Sequence, residues 1–237
     1  MKFKTLIYFT LFLSFVINPK SSQGQIDILF DLLYEVNFIF GFEGEPRAFD
    51  TDFTRYPYDL YDDGRYRPFG EQGRMMNTKA QILLQSNERD VMGGLAQIQF
   101  SPISTITIDV NHRQLFYGNS LRDSDKIGIS NFTFQYNRFR GRRFNFSWDV
   151  GLSRFEESNQ SDWGFSGGVG ISWFFKKPLS FHSNYRYHAF LEQGVGLSAF
   201  DLRLQLHLRR YFISVGYQNL SDRVSANTWL MGGGVYF

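Results

Sequence analysis

The chain is 237 residues long, with 25 Lys and Arg against 23 Asp and Glu and a formal net charge of +2. Such a balance provides no field for nucleic acid, and the complete lack of Cys excludes disulfides and a lipid-modified N-terminal Cys. Aromatic residues make up 19%, yet no apolar run beyond residue 24 is long enough to cross a bilayer as a helix. The combination disfavours a helical membrane protein and admits a β-barrel, in which apolar and polar residues alternate and mean hydropathy stays low.

Residues 1–24 have the layout of a secretory signal peptide: Lys2 and Lys4, an apolar run from Leu6 to Ile17, then small residues at Ser22 and Gly24. Cleavage is expected after Gly24. The segment 25–77 admits more than one reading. Tyr34, Val36, Phe38, Phe40 and Phe42 share a face, as on a strand, whereas Asp27, Asp31 and Glu35 recur every four residues, as on a short amphipathic helix. Residues 49–70 are rich in Tyr, Asp, Arg and Pro and read as an irregular loop. A loop of that length is usually functional or disordered, and its aromatic content argues against disorder. A lumen plug, a cap on one mouth and a partner-docking segment at 44–77 are the roles open to it.

From residue 78 onward a period of two dominates, which a helix cannot produce. Ile106, Ile108 and Val110 oppose Thr107, Asp109 and Asn111; Phe132 and Phe134 oppose Asn131 and Thr133. Phe144, Phe146, Trp148, Val150 and Leu152 oppose Asn145, Ser147, Asp149, Gly151 and Ser153, and Leu202, Leu204, Leu206 and Leu208 oppose Arg203, Gln205 and His207. Candidate strands fall at about 78–86, 91–100, 103–113, 127–136, 143–153, 164–175, 179–190, 195–208, 211–218 and 228–237. The expected fold is all-β, a transmembrane antiparallel up-and-down β-barrel over 78–237 with about ten strands; eight or twelve are the alternatives. A soluble barrel would alternate too, but the polar face here is mostly Gly, Ser, Asn, Thr and Gln, which suits a hydrogen-bonded lumen better than a water-facing surface. Tyr117, Trp163, Trp173, Tyr211 and Trp229 lie near strand ends, where amphipathic rings anchor at a membrane interface.

The closing run, NTWLMGGGVYF, resembles the C-terminal signature of Gram-negative outer-membrane β-barrels, an alternating strand closing on a Phe. The matching positions are Trp229, Met231, Val235, Tyr236 and Phe237, and the glycines at 232–234 depart from the family's firmer pattern. The resemblance implies an outer-membrane location, contact with outer-membrane lipid and recognition of those five residues by the barrel-assembly machinery. It identifies no subfamily. Short connections near 101, 137–142, 176–178 and 209–210 hold Arg138, Arg140, Arg142, Lys176, Lys177, Arg209 and Arg210 and no acid; those at 117–126, 154–163 and 219–227 are longer and mixed in charge. Short turns in the periplasm and longer loops outside is the usual asymmetry.

On the polar face, Asp109, Asp149, Arg186, Asp201 and Arg203 are expected inside the bore. A charge there needs a partner or water, and about ten strands leave a bore that side chains can largely fill. No catalytic set emerges. Ser180 and His182 share a face at i, i+2, a weak signal for a lipid hydrolase or acyltransferase. Asp50, Asp52, Asp59, Asp62 and Asp63 match no calcium loop, so no metal or cofactor is expected. The leading expectation is a non-enzymatic outer-membrane barrel with a structural, assembly or partner-binding role and a largely filled lumen. A small solute pore is the alternative, and a lipid-modifying enzyme the second.

Overall fold

The computed structural model describes residues 51–59, 64–68, 73–87, 91–118, 125–141, 143–157, 160–191, 196–222 and 225–237. The signal-like start, the alternating run at 34–42 and Asp50, Asp62 and Asp63 lie outside them. Two short strands, β1 (Thr51–Phe53) and β2 (Tyr66–Pro68), pair with each other, and Phe53 also bridges to Arg74. Ten longer strands follow: β3 (Asn77–Ser86), β4 (Val91–Ile103), β5 (Ile106–Tyr117), β6 (Asp125–Arg140), β7 (Phe144–Glu157), β8 (Gln160–Phe174), β9 (Leu179–Phe190), β10 (Gly196–Leu208), β11 (Tyr211–Asp222) and β12 (Ala226–Tyr236). They form one closed antiparallel barrel. Met231 faces Leu84 and Val235 faces Ala80 where β12 seals against β3. Closure satisfies every strand's ladder, which an open edge in hydrocarbon could not. The expectation of about ten strands holds. The eight- and twelve-stranded alternatives fall, the latter because β1 and β2 stay out of the barrel.

Period two fixes which way each side chain points. On β7, Phe144, Trp148, Val150 and Leu152 are exposed on the outside, while Asn145, Ser147, Asp149 and Ser153 are buried within. The same division runs round the ring: Ile82 and Leu84, Ile98, Val110, Phe132 and Phe134, Phe165, Leu204, Ile213 and Met231 are all exposed. Such a continuous apolar exterior is far beyond what a water-soluble monomer presents.

Three expectations are corrected. First, the connections are shorter than their composition suggested. Arg154 to Glu157 pair with Gln160 to Trp163, Asn219 and Leu220 pair with Asn227 and Ala226, and Arg140 pairs with Asn145. Backbone hydrogen bonds extend a ladder beyond the apolar band whatever the side chains are, so polar sequence there is strand. The length contrast between the two ends shrinks accordingly. Second, Tyr117 points inward, in phase with Asp109 and Arg113, and packs on an interior apolar cluster; Trp163, Trp173, Tyr211 and Trp229 are on the outside. Third, residues 51–68 are not purely irregular, because Phe53 pairs with Tyr66 in the two-stranded sheet.

If the exterior meets lipid, Val150→Arg at the middle of β7 should lower stability in bilayers by about 2–4 kcal/mol. Denaturant titration in lipid vesicles reads this directly; a loss under about 0.5 kcal/mol, the range of ordinary surface changes, would point to a water-facing barrel.

Candidate functional site: a closed bore

The bore carries a polar belt. Arg186 on β9 donates to both oxygens of Asp149 on β7, Nε at 3.0 Å and Nη2 at 3.2 Å. β8 lies between them, and register places Gly168 opposite both residues. A Cβ at Gly168 would come within 2.6 Å of the Tyr185 carbonyl and 3.1 Å of the Asp149 carboxylate. The pair therefore meets over a missing side chain. Arg186 also reaches to 4.0 Å from Asp109, across the bore on β5. Asp109 accepts from Gln97 (2.6 Å) and Gln99 (3.2 Å). Gln97 in turn accepts from Gln81 on β3 and from Arg203 on β10, the latter at 3.4 Å. Arg203 clamps Asp201 through Nε (2.9 Å) and Nη2 (3.1 Å), and Gln218 donates to the same carboxylate and accepts from Gln85. All five charges singled out in the sequence thus lie in one network linking opposite walls.

Beside the long-loop end, the interior turns apolar. Val91, Leu115, Ile127, Ile129, Phe155, Phe190, Leu197 and Leu220 form a buried cluster. Phe155 and Phe190 meet at 5.5 Å between ring centres. His188 stacks on Phe190 and bonds Ser153 at 2.8 Å, joining this stopper to the belt. The alternation in the sequence places its apolar face on the exterior. Ile127 and Ile129, however, are in phase with inward Asn131 and Thr133, and that phase was the available signal.

At the short-turn end, residues 51–59 and 64–68 form a cap. Phe53 and Tyr66 are fully buried against each other at 5.4 Å, with the Arg65 guanidinium over both rings; burial raises the Tyr66 phenol above its ordinary pKa. Thr51 bonds Ser104 and accepts from Arg140, and Lys177 donates to the Tyr58 carbonyl. Arg140 and Lys177, basic residues of the short connections, are therefore cap holders. Tyr58 enters the mouth, its hydroxyl donating to the Leu179 carbonyl and its ring set edgewise to His207 (5.5 Å) and Phe174 (6.1 Å). Its backbone is left-handed, φ 66°, a conformation that costs a bulky residue on the order of 1–3 kcal/mol and persists only where surroundings enforce it. Beneath it lie Phe212 and Tyr236, with Lys79 Nζ 4.7 Å from the Phe212 ring centre. Gly234 admits that ring, since a Cβ there would lie 2.5 Å from it.

The Ser180–His182 pair is real as a contact: Ser180 Oγ lies 2.8 Å from His182 Nε2 and 2.7 Å from His207 Nε2, and His182 Nδ1 is 2.9 Å from Ser172. Ser180 is fully buried and no carboxylate bonds either imidazole among the described residues. An acyl chain has no approach to it, so the chain of hydroxyls and imidazoles reads as packing. One Ser–His pair does face outward, His112 with Ser130 at 2.9 Å, and it too lacks an orienting acid among the described residues. No group of three His, Asp or Glu stands ready for a metal among the described residues. Of the C-terminal residues singled out, Trp229, Met231 and Phe237 are exposed outside and Val235 shares their face, whereas Tyr236 is buried in the bore.

Fold and bore together define a closed ten-stranded antiparallel β-barrel with an apolar exterior of membrane type and an obstructed lumen. No protein-family model and no curated protein matches the chain. Among solved structures it is similar to the N-terminal β-barrel domain of Pseudomonas aeruginosa OprF, with a TM-score of 0.39 and 11% identity over 68% of this chain and 97% of that one. It is also similar to Ail, the attachment invasion locus protein of Yersinia pestis, with a TM-score of 0.33 and 11% identity over the same shares.

Removing Arg186 tests the belt. Arg186→Met leaves Asp149 and Asp109 buried without their cation and should cost about 3–5 kcal/mol. Adding Asp149→Asn should recover part of that loss, which denaturant unfolding of the single and double variants measures.

Proposed function

We propose that this chain is an integral outer-membrane barrel whose bore is closed, and that it serves as a structural, assembly or partner-binding element and not as a conduit. The observation that carries the reading is the series of three obstructions along one bore: the apolar stopper, the charge-paired belt and the Tyr58 cap. Within this reading residues 1–24 direct export, the short-turn end and its cap face the periplasm, and outer-membrane lipid surrounds the apolar exterior. Trp229, Met231, Val235, Tyr236 and Phe237 serve as the signal to the assembly machinery; Tyr236 turns inward on completion. The cap, with exposed Arg55, Met75 and Met76 beside it, offers a protein partner a surface within 44–77. The chemistry is non-enzymatic.

Single-channel recording of the refolded protein tests the closed bore, after a heat-dependent gel shift has established folding. A folded barrel that stays silent under applied voltage is expected. Steady openings would overturn the reading and put the small-pore alternative first.

A further inference from the structure

The belt leaves charge over. Five cations line the central cavity, Arg65, Lys79, Arg113, Arg186 and Arg203, against two lining carboxylates, Asp109 and Asp201, with Asp149 behind them on Arg186. Arg186 and Arg203 each hold a carboxylate bidentately, and Asp109 is shared between Arg186 and amides. The other three form no salt bridge among the described residues, and Asp201 and Asp109 act on Arg113 and Lys79 only from longer range. Arg113 is 6% exposed, and its Nε has no hydrogen-bond partner among the described residues. Lys79 is 7% exposed and rests on the faces of Phe212 and Tyr236. Arg65 spends one nitrogen on Ser101 and leaves its Nε unbonded.

An isolated buried cation is expensive, and an aromatic face or a hydroxyl answers only part of its field. The cavity these groups line is about 100 Å³, several times the room that one water needs. Its wall supplies what a small anion requires: guanidinium and ammonium donors without a salt bridge among the described residues, beside amide donors from Gln and Asn and hydroxyls from Ser.

We propose that the bore holds a small inorganic anion, a halide or an oxyanion of phosphate size, bound by Arg113 and Lys79 with Arg65 at its cap side. The site neutralises the excess cations and completes the belt. The stopper and cap enclose it, so the ion is captured as the barrel closes and exchanges slowly afterwards. This deepens the closed-bore reading and rests on it for the slow exchange alone: steady conductance would end that reading while leaving the anion site to be judged separately.

Refolding the full chain in bromide and collecting anomalous diffraction locates the ion. A peak inside the bore within contact of the Arg113 or Lys79 nitrogens is expected, and replacing bromide by phosphate should leave tetrahedral density there. Peaks confined to surface residues, an adventitious ion only, or ordered water alone in the cavity would overturn the proposal. A second reading is the unfolding midpoint at constant ionic strength, comparing bromide or phosphate with gluconate, which is too bulky for the cavity. Small anions should raise the midpoint of the native protein, and Arg113→Gln and Lys79→Gln should each lose most of that rise, while surface Lys176→Gln keeps it. Equal anion dependence in all four proteins would also overturn it.

Discussion

A charge inside a membrane-spanning barrel has to be answered within the same bore, because neither lipid nor bulk water can answer it there. The contact between Arg186 and Asp149 is the clearest instance, and much of the interior depends on it. It fixes β7 and β9 relative to each other across the glycine of β8 and extends through Asp109 and Gln97 to the opposite wall. Such a belt is worth less as net stability than as specification, since the desolvation of both partners offsets most of their attraction. What it specifies is register. A one-residue slip of any strand would send its half of the network into lipid and its leucines and phenylalanines into the bore.

The cap shows the same constraint at the barrel's end. Phe174, His207, Phe212 and Tyr236 leave an aromatic floor that water would wet poorly, and Tyr58 covers it while its hydroxyl satisfies a backbone carbonyl at the start of β9. The left-handed backbone at Tyr58 is tolerated because the ring is held by two neighbours and the chain on each side is pinned to the turns, by Thr51 before it and by Arg65 after it. At the other end the stopper needs no such device. Its residues come from eight different strands, Ala226 of β12 included, and fill the bore by shape.

How much of this was legible in the sequence follows from what each feature rests on. Strand number and the facing of each residue rest on a period of two, which is local, and they could be read directly; that Asp109, Asp149, Arg186, Asp201 and Arg203 share the polar face followed from the same rule. Which of them meet did not. Asp201 and Arg203 are two residues apart and their pairing was within reach, but Asp149 and Arg186 are joined only by the register of β8, where Gly168 stands between them. The stopper was hidden because the alternation was read only over 131–136 and 143–153; carried outward in phase it puts Ile127, Ile129 and Phe155 inside, against their hydropathy. A cap was one of the roles open to 44–77, but its contacts were hidden because they are long in sequence and run to backbone atoms, as from Tyr58 to Leu179, and no side-chain pattern encodes a carbonyl.

The absence of Cys from the whole chain makes one measurement unusually clean. Single Cys residues placed in turn from Phe144 to Ser153 on β7, in the protein refolded into lipid vesicles, can be titrated with a membrane-impermeant thiol reagent and spin-labelled for collision with oxygen. The account predicts high oxygen contact at 144, 146, 148, 150 and 152, and at 145, 147, 149, 151 and 153 slow reaction with the aqueous reagent and low contact with oxygen. Fast aqueous labelling of the odd positions would mean an open, water-filled bore, and fast aqueous labelling of the even ones would mean that the apolar face never meets lipid; either result contradicts a closed barrel in a membrane.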